Sequence, residues 1–95
     1  MTTTRINTFV AKADKIHALK EFLTGLRPYI RKSDGCISCE LFQQEGAKSV
    51  FYIIEKWQSK EQHQASVAGY PKQDMAAVMD MLADAPQGNY YLNCE

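Results

Sequence analysis

Five consecutive apolar or aromatic residues, Val50, Phe51, Tyr52, Ile53 and Ile54, lie inside the stretch Ser49 to Trp57. Successive side chains of a strand point to opposite faces, so such a run has no face left for water and needs cover on both sides. Turn residues bound it, Glu45-Gly46 before and Ser59 after, and at this length it reads as a central strand. A chain of 95 residues has material for one modest core, so a single domain over residues 1–95 is expected. Helices can cover only one face of the sheet. Leaving the other in water costs roughly 1.5–3 kcal/mol for each large side chain, and a second copy of the chain is the simplest cover. A homodimer packed through the sheet face is therefore expected.

The remaining elements follow from periodicity. Thr4 to Lys12 alternates Ile6, Thr8 and Val10 against Asn7, Phe9 and Ala11, which predicts a first strand. Ile16, Leu19, Leu23, Leu26 and Ile30 recur at spacings of three and four, predicting an amphipathic helix from about Ala13 to Lys32, with Pro28 expected to kink it or end it near Arg27. Ser33-Asp34-Gly35 is turn chemistry and releases a second strand, Cys36 to Gln44, that forms a hairpin with the central one. Ser59-Lys60-Glu61-Gln62 is a capping box that starts a second helix to about Ala68, interrupted by Gly69 and Pro71. A third helix is predicted from Lys72 to about Asp84, and a last strand from Asn89 to Cys94. Strand, helix, strand, strand, helix pair, strand is the α+β, ferredoxin-like split βαβ order, a four-stranded antiparallel sheet with helices on one face.

Charge narrows the partners. Eleven basic and eleven acidic residues balance, so no nucleic-acid partner and no anionic membrane surface is expected, both of which require clustered positive charge. No stretch approaches the roughly 20 apolar residues that cross a bilayer, and the start of the chain lacks a signal-like apolar run, which makes the cytoplasm the expected location. Cys36, Cys39 and Cys94 are an odd set, expected as thiols. Cys36 and Cys39 are three apart on a strand, so they are expected on opposite faces; with no fourth ligand at a suitable spacing, no metal is expected.

Gly35-Cys36-Ile37-Ser38-Cys39-Glu40-Leu41, followed after the hairpin by Phe51-Tyr52-Ile53-Ile54-Glu55-Lys56-Trp57-Gln58-Ser59-Lys60-Glu61, resembles the antibiotic biosynthesis monooxygenase domain family. That family carries a Gly-Cys strand opening and a Tyr, Glu and Trp strand ending before a Ser-capped helix. The resemblance implies a dimeric ferredoxin-like unit, a dimeric α/β barrel. It also implies an oxygenase that works without metal, flavin or other cofactor on a small aromatic or quinol-type substrate. In the family a histidine commonly follows the strand-ending tryptophan by nine residues, where this chain has Ser66; it carries His63 instead, at a position the family usually fills with an apolar residue. The haem-degrading branch resembles this chain only at Asn7. Its iron-binding partners would fall near Ser66 and Ala76, neither of which can ligate iron, so haem is not expected.

Chemistry of this kind needs an apolar cavity, one base and a few donors for a developing oxyanion. The candidates are Asn7 as amide donor or orienter, Tyr52 and Tyr70 as phenolic donors, Trp57 as an aromatic wall with an indole donor, and His63 as base because its reference pKa lies nearest neutrality. Each has a plainer reading. A single histidine on a half-buried helix also serves as a hydrogen-bonded packing residue, and Trp57 as core. Glu55 interrupts an apolar strand, either as a buried carboxylate whose hydrogen bond orients the second helix or the partner chain, or as an edge residue. Met75, Met79, Met81, Tyr90 and Tyr91 read as core lining. Two rivals to an oxygenase stay open: a non-catalytic ligand-binding or interaction dimer on the same scaffold, and an isomerase of a small metabolite. Three arginines in the chain weigh mildly against a phosphorylated substrate.

Overall fold

The computed structural model describes residues 2–94. Its elements are β1 (Thr3–Val10), α1 (Ile16–Lys32), β2 (Cys36–Gln43), β3 (Val50–Trp57), α2 (Lys60–Ala68), α3 (Lys72–Met79) and β4 (Gln87–Tyr91). They form one four-stranded sheet in the order β2-β3-β1-β4, antiparallel throughout. This is the expected α+β, ferredoxin-like arrangement.

The apolar run of β3 divides as its two-residue period dictates. Phe51, Ile53, Glu55 and Trp57 are buried under the helices, whereas Val50, Tyr52 and Ile54 are half-buried on the other face. Leu19, Leu23 and Ile30 of α1 close over the inner face and complete a core with Cys39, Val78 and Leu82. On the outer face the register places Ile6 beside Ile54 and Val10 beside Val50, and Phe42 of β2 stands across from Tyr52, 45% exposed.

Four local expectations need correction. Pro28 neither breaks nor ends α1, which continues to Lys32: the proline faces solvent, and Ile30 beyond it is held in the core. The same helix begins at Ile16 rather than Ala13, after a turn closed by Lys15 N–H on Lys12 C=O at 2.9 Å. The third helix stops at Met79, because the chain beyond it is drawn to β1, where Lys12 N–H reaches Met81 C=O at 2.9 Å and Ala83 N–H reaches Val10 C=O at 2.8 Å. The last strand is shifted toward the N-terminus and ends at Tyr91, leaving Leu92 67% exposed.

The cysteine pair also differs from expectation. The register slips between Cys36 and Ser38, with Ile37 as the extra residue of a bulge, so Cys36 stands opposite Trp57 and Cys39 opposite Glu55 on the same inner face. Burial pushes the Cys39 thiol up to about 12, with Glu55 and Cys36 adding to the shift, and burial raises Cys36 as well. Both are held as thiols, the form that neither attacks nor binds metal. Cys94 is also free.

Candidate active site

Alternation on β1 and β3 aims two sets of side chains inward. Arg5 lies directly across from Glu55 and Asn7 across from Ile53, all on the helix-covered face. Together with the helices these strands line a cavity of about 280 Å³ that is partly open to solvent. Phe9 and Ile53 from the sheet, Phe22 and Leu26 from α1, and Val67 and Met75 from α2 and α3 give it apolar walls. Roughly 150 Å³ suffices for a benzene ring in a dry protein cavity, so this space suits a ligand of one or two rings.

A connected polar group interrupts those walls. Glu55 is 3% exposed; its Oε1 accepts from Trp57 Nε1 at 2.8 Å and its Oε2 from Asn7 Nδ2 at 3.2 Å. Asn7 Oδ1 in turn accepts from Arg5 Nε at 3.0 Å. Burial pushes the Glu55 carboxyl up, and the Trp57 donor, the Arg5 charge and the Asn7 donor act against that shift. The arrangement therefore holds a carboxylate beside an apolar space with an affinity for protons above the ordinary carboxylate value.

Ser59 caps α2 in extended conformation, accepting from Gln62 N–H at 3.2 Å, and this sets the first turn so that His63 faces the sheet. His63 is 7% exposed, edge-on to Trp57 at 5.4 Å and to Tyr90 at 5.3 Å between ring centroids. Its Nδ1 lies 2.6 Å from the Tyr90 hydroxyl and its Nε2 3.8 Å from Glu55 Oε1. Burial, then the Arg5 charge, brings its pKa down to about 4, so the imidazole is neutral near pH 7. A hydrogen on Nε2, facing the carboxylate, leaves Nδ1 to accept from Tyr90.

A second polar group sits on the helices. Tyr29 donates to Ser66 C=O at 2.7 Å, the hydroxyls of Ser66 and Ser33 are 2.7 Å apart, and Tyr70 meets Tyr29 edge-on at 5.0 Å. Burial raises Tyr70, with Asp74 and Tyr29 adding to it, so its phenol stays protonated and able to donate. Ser66, nine residues after Trp57, thus has its hydroxyl already engaged.

Asn7, Glu55, Trp57, His63 and Tyr70, all named from the sequence, line this one cavity. Tyr52 does not. It lies on the outer face, where its hydroxyl donates to Gln44 Oε1 at 3.0 Å, because it is one residue out of step with Phe51, Ile53 and Glu55. Sequence reasoning missed Arg5 and Tyr90. Arg5 was within reach, since it is two residues from Asn7 and shares its face. Tyr90 was not, because its meeting with His63 depends on the pairing of β4 with β1, where Tyr90 stands opposite Arg5. Gly88 is opposite Asn7; a Cβ there would overlap the Arg5 guanidinium and the Asn7 carboxamide, so only glycine leaves them room. Among the described residues no cluster of three or more His, Cys, Asp or Glu side chains could hold a metal ion, and no helix is long and apolar enough to cross a membrane.

Comparison with known proteins gives one family. The family model described as antibiotic biosynthesis monooxygenase matches residues 2–77. No curated protein matches the chain. Several solved structures do. Rv0793 from Mycobacterium tuberculosis superposes with a TM-score of 0.88 at 20% identity, over 100% of this chain and 97% of that one. PA3566 from Pseudomonas aeruginosa gives 0.87 at 20% identity, over 99% and 95%. A mutant of SnoaB, a cofactor-independent oxygenase from Streptomyces nogalater, gives 0.83 at 10% identity, over 99% and 94%. At these identities the likeness establishes the fold.

Proposed function

This chain belongs to the antibiotic biosynthesis monooxygenase family, and from that premise we propose that it is a cytoplasmic, homodimeric, cofactor-independent monooxygenase of a small aromatic or quinol-type substrate. The observation that carries the reading is the largely apolar, partly open cavity with one carboxylate, Glu55, held in it by Asn7 and Trp57. A phenolic or enolic substrate fits such a space. Its hydroxyl proton passes to the Glu55–His63 pair, and Asn7, which gives one Nδ2 hydrogen to Glu55, has a second for the substrate oxygen. Tyr70 supplies a phenolic donor, and Trp57 and the apolar side chains keep water from the electron-rich anion.

At a carbon that is CH2 in the keto tautomer of the substrate, the anion then reduces O2 by one electron, and the two radicals join as a peroxide anion. The proton held by the Glu55–His63 pair returns to make the hydroperoxide. Loss of water leaves a carbonyl. One oxygen atom stays in the product and the other leaves as water, and the four electrons come from the substrate CH2, so the chemistry needs no separate reductant. An oxygen electrode with a panel of hydroquinones and anthrones tests this. Uptake is expected with at least one of them, falling about 100-fold in Asn7→Ala, the scale of losing one oxyanion donor. If none consumes O2 while Asn7→Ala and His63→Ala leave ligand binding intact, the chain is a ligand-binding dimer without turnover; conversion of a metabolite without O2 uptake would make it an isomerase.

Dimerisation is supported by the half-covered outer face, where Val50, Tyr52, Ile54 and Phe42 share one side of the sheet. Light scattering at micromolar concentration is expected to give twice the chain mass, and a monomer mass would remove this part of the proposal.

A further inference from the structure

Arg5 has only part of its hydrogen-bonding capacity engaged by protein. Its Nε bonds Asn7, and its guanidinium carbon lies 4.7 Å from the centroid of the Tyr90 ring, a stacked position that Gly88 leaves open. Glu55 is its direct neighbour across the strand pair, yet the Glu55 oxygens are taken by Trp57 and Asn7. Among the described residues no carboxylate lies within 4.0 Å of the guanidinium, and its two terminal nitrogens have no protein acceptor. Those nitrogens form the planar fork that matches two acceptor oxygens, and they belong to a residue of the cavity wall. A second cation, Lys60 Nζ, stands 5.1 Å from the same Tyr90 ring. Arg5 is half-buried and its terminal nitrogens are not among the buried polar atoms left without a partner, so they keep access to solvent and an anionic ligand oxygen can take the place of water on them.

We propose that Arg5 is an anion anchor: the cavity binds an aromatic ligand in anionic form, with an ionised ring hydroxyl or a carboxylate on the terminal nitrogens of Arg5. Resting on the assignment of the cavity as the ligand site, this deepens that reading by naming the residue and the charge state it selects. Glu55 limits where the anion can sit. A ligand that arrives ionised must lie nearer Arg5 than Glu55, whereas one that arrives as a neutral phenol can give its proton to Glu55. In that transfer the O–H bond of the ligand breaks and an O–H bond forms on Glu55, the negative charge moves to the oxygen facing Arg5, and the net charge of the cavity is unchanged.

The test uses 4-nitrophenol, whose phenol and phenolate absorb at different wavelengths and which ionises near neutrality. Bound to the full-length chain at about pH 7, its phenolate-to-phenol ratio is expected to rise about tenfold or more over that in free solution, as charge-assisted pairing implies. In Arg5→Gln the ratio should fall below the free-solution value, because an apolar cavity without a cation favours the neutral phenol; Arg5→Lys should retain part of the rise. A fall on binding to the unaltered protein would exclude an ionised hydroxyl on Arg5 without any variant. Calorimetry with 4-nitrobenzoate and 4-nitrobenzamide addresses the carboxylate source. Tighter benzoate binding with no phenolate gain assigns a carboxylate ligand, phenolate gain with equal affinities assigns an ionised hydroxyl, and neither effect sinks the anchor. None of these measurements involves O2, so failure of the oxygenase reading and failure of the anchor are told apart.

Discussion

Replacing Trp57 with alanine is expected to remove about 4–8 kcal/mol of stability, a large share of what a domain has. Truncating a fully buried tryptophan costs about 3–5 kcal/mol in lost transfer energy and residual cavity, and Trp57 has no solvent exposure. A buried acceptor deprived of its donor adds about 1–3 kcal/mol; here that acceptor is Glu55 Oε1. Domains have roughly 5–15 kcal/mol in total, so the loss takes up most or all of the margin only if this chain lies at the lower end of that range. Trp57→Phe separates the two causes, since it keeps most of the aromatic volume and removes only the donor; a loss of about 1–3 kcal/mol is expected. Urea unfolding followed by far-ultraviolet circular dichroism reads both, because tryptophan emission is absent from the variants. If Trp57→Ala lost less than about 2 kcal/mol, the indole would not be the anchor of the inner face that its burial describes.

Acid should weaken the fold through His63. The folded protein holds this imidazole neutral down to about pH 4, whereas in the unfolded chain it takes a proton near pH 6.5. Between those values the unfolded state binds more protons, so stability is complete above pH 6.5 and is lost steadily as the pH falls to about 4. At about 1.4 kcal/mol per unit the loss comes to about 3 kcal/mol. The raised Glu55 carboxyl acts in the opposite sense, because above its ordinary value the folded state is the one that holds the extra proton. Glu55 is present in both the parent protein and His63→Leu, so comparing their urea midpoints from pH 7 to pH 4 isolates the histidine. The parent should lose about 3 kcal/mol more than the variant over that range. Parallel profiles would mean that His63 takes its proton in the folded state as readily as in water.

Much of this architecture was legible in the sequence because it is written in local periods. The order of elements, the Ser59 cap and the division of β3 into two alternating sets follow from alternation and from hydroxyl chemistry at a helix start, while which set turns inward does not. Alternation also contained more than was taken from it: Tyr52 and Glu55 cannot share a face on one regular strand, while Arg5 and Asn7 must. What stayed hidden is non-local or irregular. The bulge at Ile37 reverses the sidedness of Cys36, and no residue in that stretch announces it. The continuation of α1 through Pro28 depends on Ile30 reaching the core, and the Tyr90–His63 contact depends on the register of the final strand.

The first strand carries two independent texts in alternate letters. Thr3, Arg5, Asn7 and Phe9 pair inward with Trp57, Glu55, Ile53 and Phe51, and the residues between them, Thr4, Ile6, Thr8 and Val10, look the other way. A slip of one residue would exchange the two sets, which ties the chemistry of the cavity to the alignment of the whole sheet. Within a fixed alignment the two sets are free of each other. A lineage could rewrite positions 5 and 7 to accept a different molecule while positions 6, 8 and 10 preserve the outer surface, so ligand preference can diverge without renegotiating how the domain assembles.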